Sequence, residues 1–374
     1  MEKQDGFKNG QTPVRLTILD KYILKKYLTS FLGMFIIFIP ISILASLAEK
    51  INKILDNKAP FLEVLEYYGN FTLVLGNILM PILLFLSIIF FTTRLTERSE
   101  IVAMLSSGVS FNRFLRPYFI GATIIAILIF LMGSFIVPNA SVQYHEFEYD
   151  YFHKGRNDRQ TRNIFNQINN QDYVYVSFFD PNRNIGYYFT FEHFNEDQTL
   201  DYKITSTNIK WVPVDTIYSL TSYTKRKFRA GKEIIEKKRK LDTLFNFTID
   251  DLMPVSYIAE TKNLFELNEF IDDQQRRGAS NVNVYVLAKY KRWALPISAY
   301  ILTIIAVSVA SIKRRGGMGV TLAFGMFIGF IYVFFERIFG VLAKQADFSP
   351  LMAILIPNVL FGILAFIMLQ RAKR

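Results

Sequence analysis

The sequence predicts a membrane protein: an α-helical six-span transmembrane bundle with an inserted all-β domain outside the bilayer. Three observations carry this. Of 374 residues 51% are hydrophobic, 36 are Phe and only 20% are charged, with a positive mean hydropathy, which is too apolar for a water-soluble chain of this length. Six stretches lack Asp, Glu, Lys and Arg: 27–48, 67–93, 117–144, 293–312, 316–335 and 348–370. Each is long enough for a hydrocarbon core that needs about 20 residues. Between the third and fourth, from Tyr144 on, the pattern changes to short runs of Tyr, Phe, Val, Ile and Thr separated by turn residues.

The net charge of +11 raises nucleic acid as a partner, but its distribution argues for a membrane instead. Sixteen Lys and Arg fall in the N-terminal tail, after span 2, after span 4 and at the C-terminus; the short loops on the other side hold four, Lys50, Lys53, Lys58 and Lys344. The positive-inside bias therefore puts both termini in the cytoplasm and the large insertion outside. With no cysteine, that insertion has no disulfide and must be held by its own core. The N-terminus lacks the short apolar region and small-residue cleavage site of a signal peptide, so the first span is expected to be retained.

In chain order, residues 1–28 read as a cytoplasmic tail followed by an amphipathic helix over 16–28, with Leu19, Tyr22, Ile23 and Lys26 at helical spacing. This helix is expected to lie along the interface before turning into span 1; a simple basic anchor accounts for it equally well. Residues 29–138 hold spans 1–3. Span 1 is interrupted at Pro40 and ends among Glu49, Lys50, Lys53, Asp56 and Lys58. Lys50 and Lys53, at i and i+3, share a face and have the reach to bind an anionic lipid headgroup, or else they balance the neighbouring acids. Span 2 contains Pro81, where a kink is expected, and span 3 is expected to end at Pro138.

Between spans 2 and 3 lies TTRLTERSEIVAMLSSGVSFNRFLRP, residues 92–117, on which the functional reading centres. A helix over 94–108 would put Leu95, Val102 and Leu105 on one side and Glu97, Glu100, Met104 and Ser107 on another. Gly108 is a natural stop, Ser110 a cap for the next helix, and Arg94, Arg98, Arg113 and Arg116 hold the segment in the cytoplasm. Such a helix is either a docking surface for a soluble partner or an ordinary loop helix packed on its own bundle.

Residues 139–288 form the inserted domain. Strands are expected over 172–179, 185–192, 199–204, 208–214, 217–228 and 231–235, arranged as a sandwich, jelly roll or open barrel. Their aromatic residues line a groove for acyl chains or make a plain β core. NLFELNEFIDDQQRRG, 263–278, reads as a short helix capped by Asn263 and Glu266 and stopped at Gly278, and VNVYV, 282–286, as a strand returning to the membrane. Residues 289–374 hold spans 4–6. The tight basic turn KRRGG makes spans 4 and 5 a hairpin, and the Gly-rich fifth span permits close helix approach. Glu336 and Arg337 stand at its outer end, where charges face protein, a polar cavity or a headgroup.

Several chemistries lack their signatures. There is no GxxxxGK[ST] phosphate loop, no HExxH and no GxSxG elbow. The histidines, His145, His153 and His193, have no metal-ligand spacing. The pairs Asp250–Asp251 and Asp272–Asp273 allow a membrane-bound transferase as a minor reading.

The run SEIVAMLSSGVS, with Ser99, Glu100, Ala103, Gly108, Val109 and Ser110, resembles the Ser-Glu-x-x-Ala-x-x-x-x-Gly-[Val/Ile]-Ser signature of the LptF/LptG (YjgP/YjgQ) lipopolysaccharide export permeases. LDKYILKKYL is similar to that family's N-terminal helix, and NLFELNEFIDDQQRRG to its element after the outer domain. The resemblance implies a periplasmic jelly-roll-like domain in the bacterial inner membrane protein, pairing with a second LptF/LptG-like subunit, and a cytoplasmic ABC ATPase dimer that uses ATP and Mg. This chain itself would bind no cofactor and catalyse no reaction. It implies that Arg98, Ser99, Glu100, Ala103, Met104, Ser107 and Gly108 couple to the ATPase. It implies, too, that Lys50 and Lys53 lie near the lipopolysaccharide phosphates, to which Glu336 and Arg337 are added as candidate lipid contacts by their place at the outer end of span 5, and that the outer sheet hands acyl chains to a bridge of similar jelly rolls by edge-strand addition. A non-transporting scaffold or sensor of an envelope complex is the alternative.

Overall fold

The computed structural model describes residues 16–152, 162–180, 183–212, 217–229, 232–277, 279, 282–312, 317–345 and 348–373. Among them six helices are long and apolar enough to cross a membrane, and an antiparallel sheet is inserted between the third and fourth.

The first helix, α1 (Ile18–Asp56), opens with a capping box in which Thr17 N donates to Asp20 Oδ2 at 2.9 Å and Asp20 N to the Thr17 hydroxyl. It then runs unbroken for 39 residues, about 58 Å at the α-helical rise. The interfacial helix expected over 16–28 does not turn. Ile23, Tyr27 and Phe31, all buried, form one i, i+4, i+8 stripe that continues from the amphipathic segment into the span, so both halves pack on the same face of the bundle. Helix α2 (Phe61–Glu97) passes through Pro81 and is the most central span with α8 (Val282–Ala310). Their side chains Leu84, Phe85, Ile88, Leu302, Ile305 and Ala306 are sealed in the main core.

After the short α3 (Glu100–Ser106), span 3 comprises α4 (Phe111–Leu131), a π-turn at Met132–Ile136, α5 (Val137–Phe147) and a second π-turn at Glu148–Phe152. Pro138 does not end it. Immediately upstream the chain widens into a π-turn, Val137 N donating to the Met132 carbonyl, and the helix continues through the proline.

The sheet consists of β1 (Arg162–Gln167), β2 (Asp172–Asp180), β3 (Ile185–Phe194), β4 (Leu200–Val212), β5 (Ile217–Arg229) and β6 (Lys232–Thr243), hydrogen-bonded in sequence order. This meander shares with a jelly roll its antiparallel pairing and one-sided aromatic core; no Greek-key crossover occurs among the described residues. The pairs Val174↔Phe191 and Val176↔Phe189 put apolar side chains on one face. The segment carrying Phe245 and Phe247 folds across that face, and the Tyr218 hydroxyl donates to the Phe247 carbonyl at 3.1 Å. Burial, with Asp251 and Asp250 nearby, pushes the Tyr218 phenol above its ordinary range.

The strands expected over 199–204 and 208–214 are one strand as far as Val212, because the chain stays paired through Ser206 and Asn208. β6 extends well past Ile235, since an exposed edge strand needs no apolar alternation. VNVYV is helical: it is the first turn of α8, where Tyr285 is buried against Phe270 of α7 (Leu264–Arg277). Alternation over five residues did not outweigh the apolar helix that follows. The Asn263 cap holds as expected, its Oδ1 accepting from Phe265 N and Glu266 N while Glu266 Oε2 accepts from Asn263 N. Gly278 lies outside the described residues.

Sheet and bundle meet at a single-turn 3₁₀ helix, Ile249–Leu252, followed by α6 (Val255–Thr261) and α7. Asp251, 4% exposed, accepts from Thr248 N (2.7 Å), Gln274 Nε2 (2.5 Å) and Arg277 Nη1 (3.0 Å), while Asn166 of β1 donates to its carbonyl. Asp250 pairs with Lys262 at 2.6 Å and Asp273 with Arg277 at 2.6 Å. These carboxylates thus fasten the joint. α9 (Gly317–Gln345) and α10 (Pro350–Ala372) complete the bundle; a side chain at Gly325 would strike Ile89, and one at Gly329 would meet Ile82 and Phe85 at 2.9 and 3.0 Å. These two glycines set how closely α9 approaches α2.

Candidate functional site

Two polar regions stand out in the apolar bundle: an elbow at the end remote from the sheet and a basic cavity toward the sheet end.

The elbow is α3 with its two hinges. Helix α2 stops because Ser99 enters the left-handed region at φ 58°, and α3 stops at Gly108 with φ 91°, a conformation that glycine adopts without strain. Ser110 then caps α4, accepting from Arg113 N. The helix expected over 94–108 is therefore two helices, and the break at Ser99 resets the phase. Leu95, at the end of α2, is buried, but Val102 and Leu105 face outward; the side chain sealed into the bundle is Ile101, with Met104 packed beside it.

Three contacts fix the elbow. Thr96 Oγ1 donates to the Ala310 carbonyl at 2.6 Å, tying α2 to the end of α8. Arg113 forks onto Asp20, Nη1 to Oδ1 at 2.5 Å and Nη2 to Oδ2 at 2.7 Å, and Nη2 reaches the Thr17 hydroxyl at 2.8 Å. Tyr22 OH donates to Glu100 Oε2 at 2.8 Å, so Glu100 touches α1 while it starts α3. Of the residues the sequence singled out, Arg98, Ser99, Ala103, Ser107 and Gly108 are exposed, Glu100 is half-buried and Met104 turns inward. The outward surface joins Val102, Ala103, Leu105 and Ser107, a small apolar and hydroxyl patch bordered by Arg98 and Glu100.

The four residues read as lipid contacts separate into two settings. Lys50 is enclosed: Nζ donates to Glu148 Oε1 at 2.7 Å and Tyr67 OH at 2.8 Å, with the rings of Tyr67, Tyr144 and Phe152 within 6 Å. Tyr67 stacks on Phe147 at 4.5 Å, closing the box. Lys50 is thus a structural cation joining α1, α2 and span 3. Lys53 stands at the rim, 5.8 Å from the Phe152 ring centroid.

Glu336 and Arg337 line a cavity of about 350 Å³ between α2, span 3, α6, α8 and α9. Lys291, Arg292 and Lys344 also reach it, and Glu336 Oε1 lies 3.6 Å from Lys291 Nζ. Arg292 is buried, Nη2 donating to the carbonyl of Lys262 at 2.6 Å. Sequence reasoning missed Lys291 and Arg292, although KYKRW at the entry to span 4 put three cations beside an apolar run; without the fold nothing aimed them at Glu336.

Comparisons with known proteins agree on one relationship. The family model for the lipopolysaccharide export system permease LptF/LptG matches residues 21–371. The lipopolysaccharide export system permease proteins LptG of Escherichia coli strain K12 and of Escherichia coli O6:H1 strain CFT073 are each 20% identical over 360 residues, covering 95% of this chain and 98% of theirs.

Proposed function

The chain belongs to the LptF/LptG family of lipopolysaccharide export permeases, and on that premise we propose that it is the transmembrane subunit of an ATP-driven exporter that lifts lipopolysaccharide or lipooligosaccharide from the bacterial inner membrane. ATP and Mg are used by a separate cytoplasmic ABC ATPase dimer. A second permease subunit of the same family completes the pathway, and periplasmic jelly-roll proteins receive the lipid from the sheet. The positive charge of the tail and of the segment around the elbow supports a cytoplasmic elbow, with the sheet in the periplasm.

The observation that carries the energy-coupling reading is the outward face of α3. Val102 is 55% exposed beside exposed Ala103 and Ser107, on a seven-residue helix whose two hinges and three anchors hold it rigidly at the bundle end. A helix anchored this firmly transmits a push from a partner seated on that face. Lys53, at the rim of the Lys50 box, is the residue of the sequence reading best disposed to meet passing lipid phosphates.

Co-purification of the assembled complex tests the docking. Val102→Asp and Glu100→Arg are expected to release the ATPase or to uncouple hydrolysis from transport. Tyr22→Phe, which removes only the internal hydrogen bond to Glu100, is expected to retain it. Full association and transport in both of the first two variants would refute the role, and absence of any stoichiometric ATP-hydrolysing partner would favour an envelope scaffold.

A further inference from the structure

The basic cavity is built for an anion with a hydrocarbon tail. Four cations, Lys291, Arg292, Arg337 and Lys344, border it against two carboxylates. Both carboxylates are engaged, Glu260 by His145 at 3.1 Å and Glu336 by Lys291 at 3.6 Å. The innermost cation, Arg292, is 8% exposed; its Nη2 serves the carbonyls of Lys262 and Ala259, while Nη1 has no hydrogen-bond partner among the described residues. That nitrogen exposes less than 1 Å² of surface, so Arg292 lends its positive charge to the cavity wall rather than a donor to the space inside. Behind the charges the wall is apolar, with Ile78, Leu79, Ile82, Val137, Leu295 and Leu302.

We propose that this cavity holds the phosphate-bearing headgroup of one anionic glycerophospholipid from the surrounding bilayer. Lys291, Arg337 and Lys344 meet the phosphate oxygens, the charge of Arg292 behind the wall adds to the attraction, and the upper carbons of one chain lie against Ile78 and Leu79. A space of about 350 Å³ suits one such headgroup and falls short of a multi-chain glycolipid. The assignment is independent of export and of α3 docking: a lipid here would brace α8 against α9 whether or not the chain moves cargo.

The test uses the purified full chain, stripped of lipid and titrated by native mass spectrometry with phosphatidylglycerol or phosphatidylcholine. One tight phosphatidylglycerol adduct and no comparable phosphatidylcholine adduct are expected. The double variant Arg337→Gln, Lys344→Gln, at the exposed mouth, is expected to weaken that adduct on the order of 30-fold. Ala288→Phe, which fills the cavity without changing its charge, is expected to abolish the adduct with helical content unchanged by circular dichroism; if that variant does not fold, the double variant decides. Equal retention of the two lipids, or an unaltered affinity in the double variant, would overturn the proposal. One-for-one displacement of phosphatidylglycerol by lipopolysaccharide would also overturn it, giving the cavity to cargo.

Discussion

Lys50 and Arg292 are both cations at the sheet end of the bundle, yet their surroundings differ in kind. Lys50 meets a carboxylate, a phenol and three ring faces at once, and its charge is settled within the chain. Arg292 gives Nη2 to two carbonyls, leaves Nη1 without an acceptor among the described residues, and stands in the wall of a cavity that three further cations line. A closed joint stores stability, whereas a cavity lined by more cations than carboxylates marks a place where the molecule is completed by something else.

The largest effect should come from opening the closed joint. Glu148→Ala leaves Lys50 among aromatic rings with no counter-charge, and should lower stability by about 3 kcal/mol, the lower end for breaking a buried pair because some solvent reaches both groups. Thermal unfolding in detergent measures it, and a loss below about 1 kcal/mol would make Lys50 a surface cation after all. Next, Gly325→Val drives a side chain into Ile89 and should cost about 2 kcal/mol through overpacking of α9 on α2; unchanged stability would mean that the two helices separate freely. At the elbow, Arg113→Ala removes a forked ion pair from Asp20 and should lower the unfolding midpoint modestly, while exposing the α1 N-terminus to faster amide exchange. The smallest effect belongs to the open side of the comparison. Arg337→Gln should change unfolding by less than about 0.5 kcal/mol, and a larger loss would show the cavity mouth to be a joint like the Lys50 box.

How much of this was legible in the sequence follows from which interactions are local. The six spans, the Gly108 stop, the Ser110 cap and the Asn263–Glu266 box were readable because each depends on a few neighbouring residues or on an uninterrupted apolar run. The face of α3 was misread because the phase of a helix depends on where it starts, and only Ser99's left-handed backbone reveals that it starts afresh. Lys50 and Lys53 looked alike at i and i+3; what separates them is Glu148, ninety-eight residues from Lys50 along the chain. The same holds for the cavity, where Lys291 and Glu336 become neighbours only when α8 and α9 pack. β6 escaped in part because a strand dense in lysine at a sheet edge carries no alternation to read.

The unbroken course of α1 has one more consequence. It is a beam fixed at both ends, by Arg113 on Asp20 near its beginning and by Glu148 on Lys50 near its close. Between those supports its flank from Leu32 to Leu44 faces away from the protein, and Pro40, which has no N–H to give the carbonyl of Ile36, removes one rung of the ladder in that stretch. A sideways load on such a beam produces curvature where a rung is missing, so α1, held on its inner side by Phe35 and Ile39 against Gly76, bends most easily around Pro40.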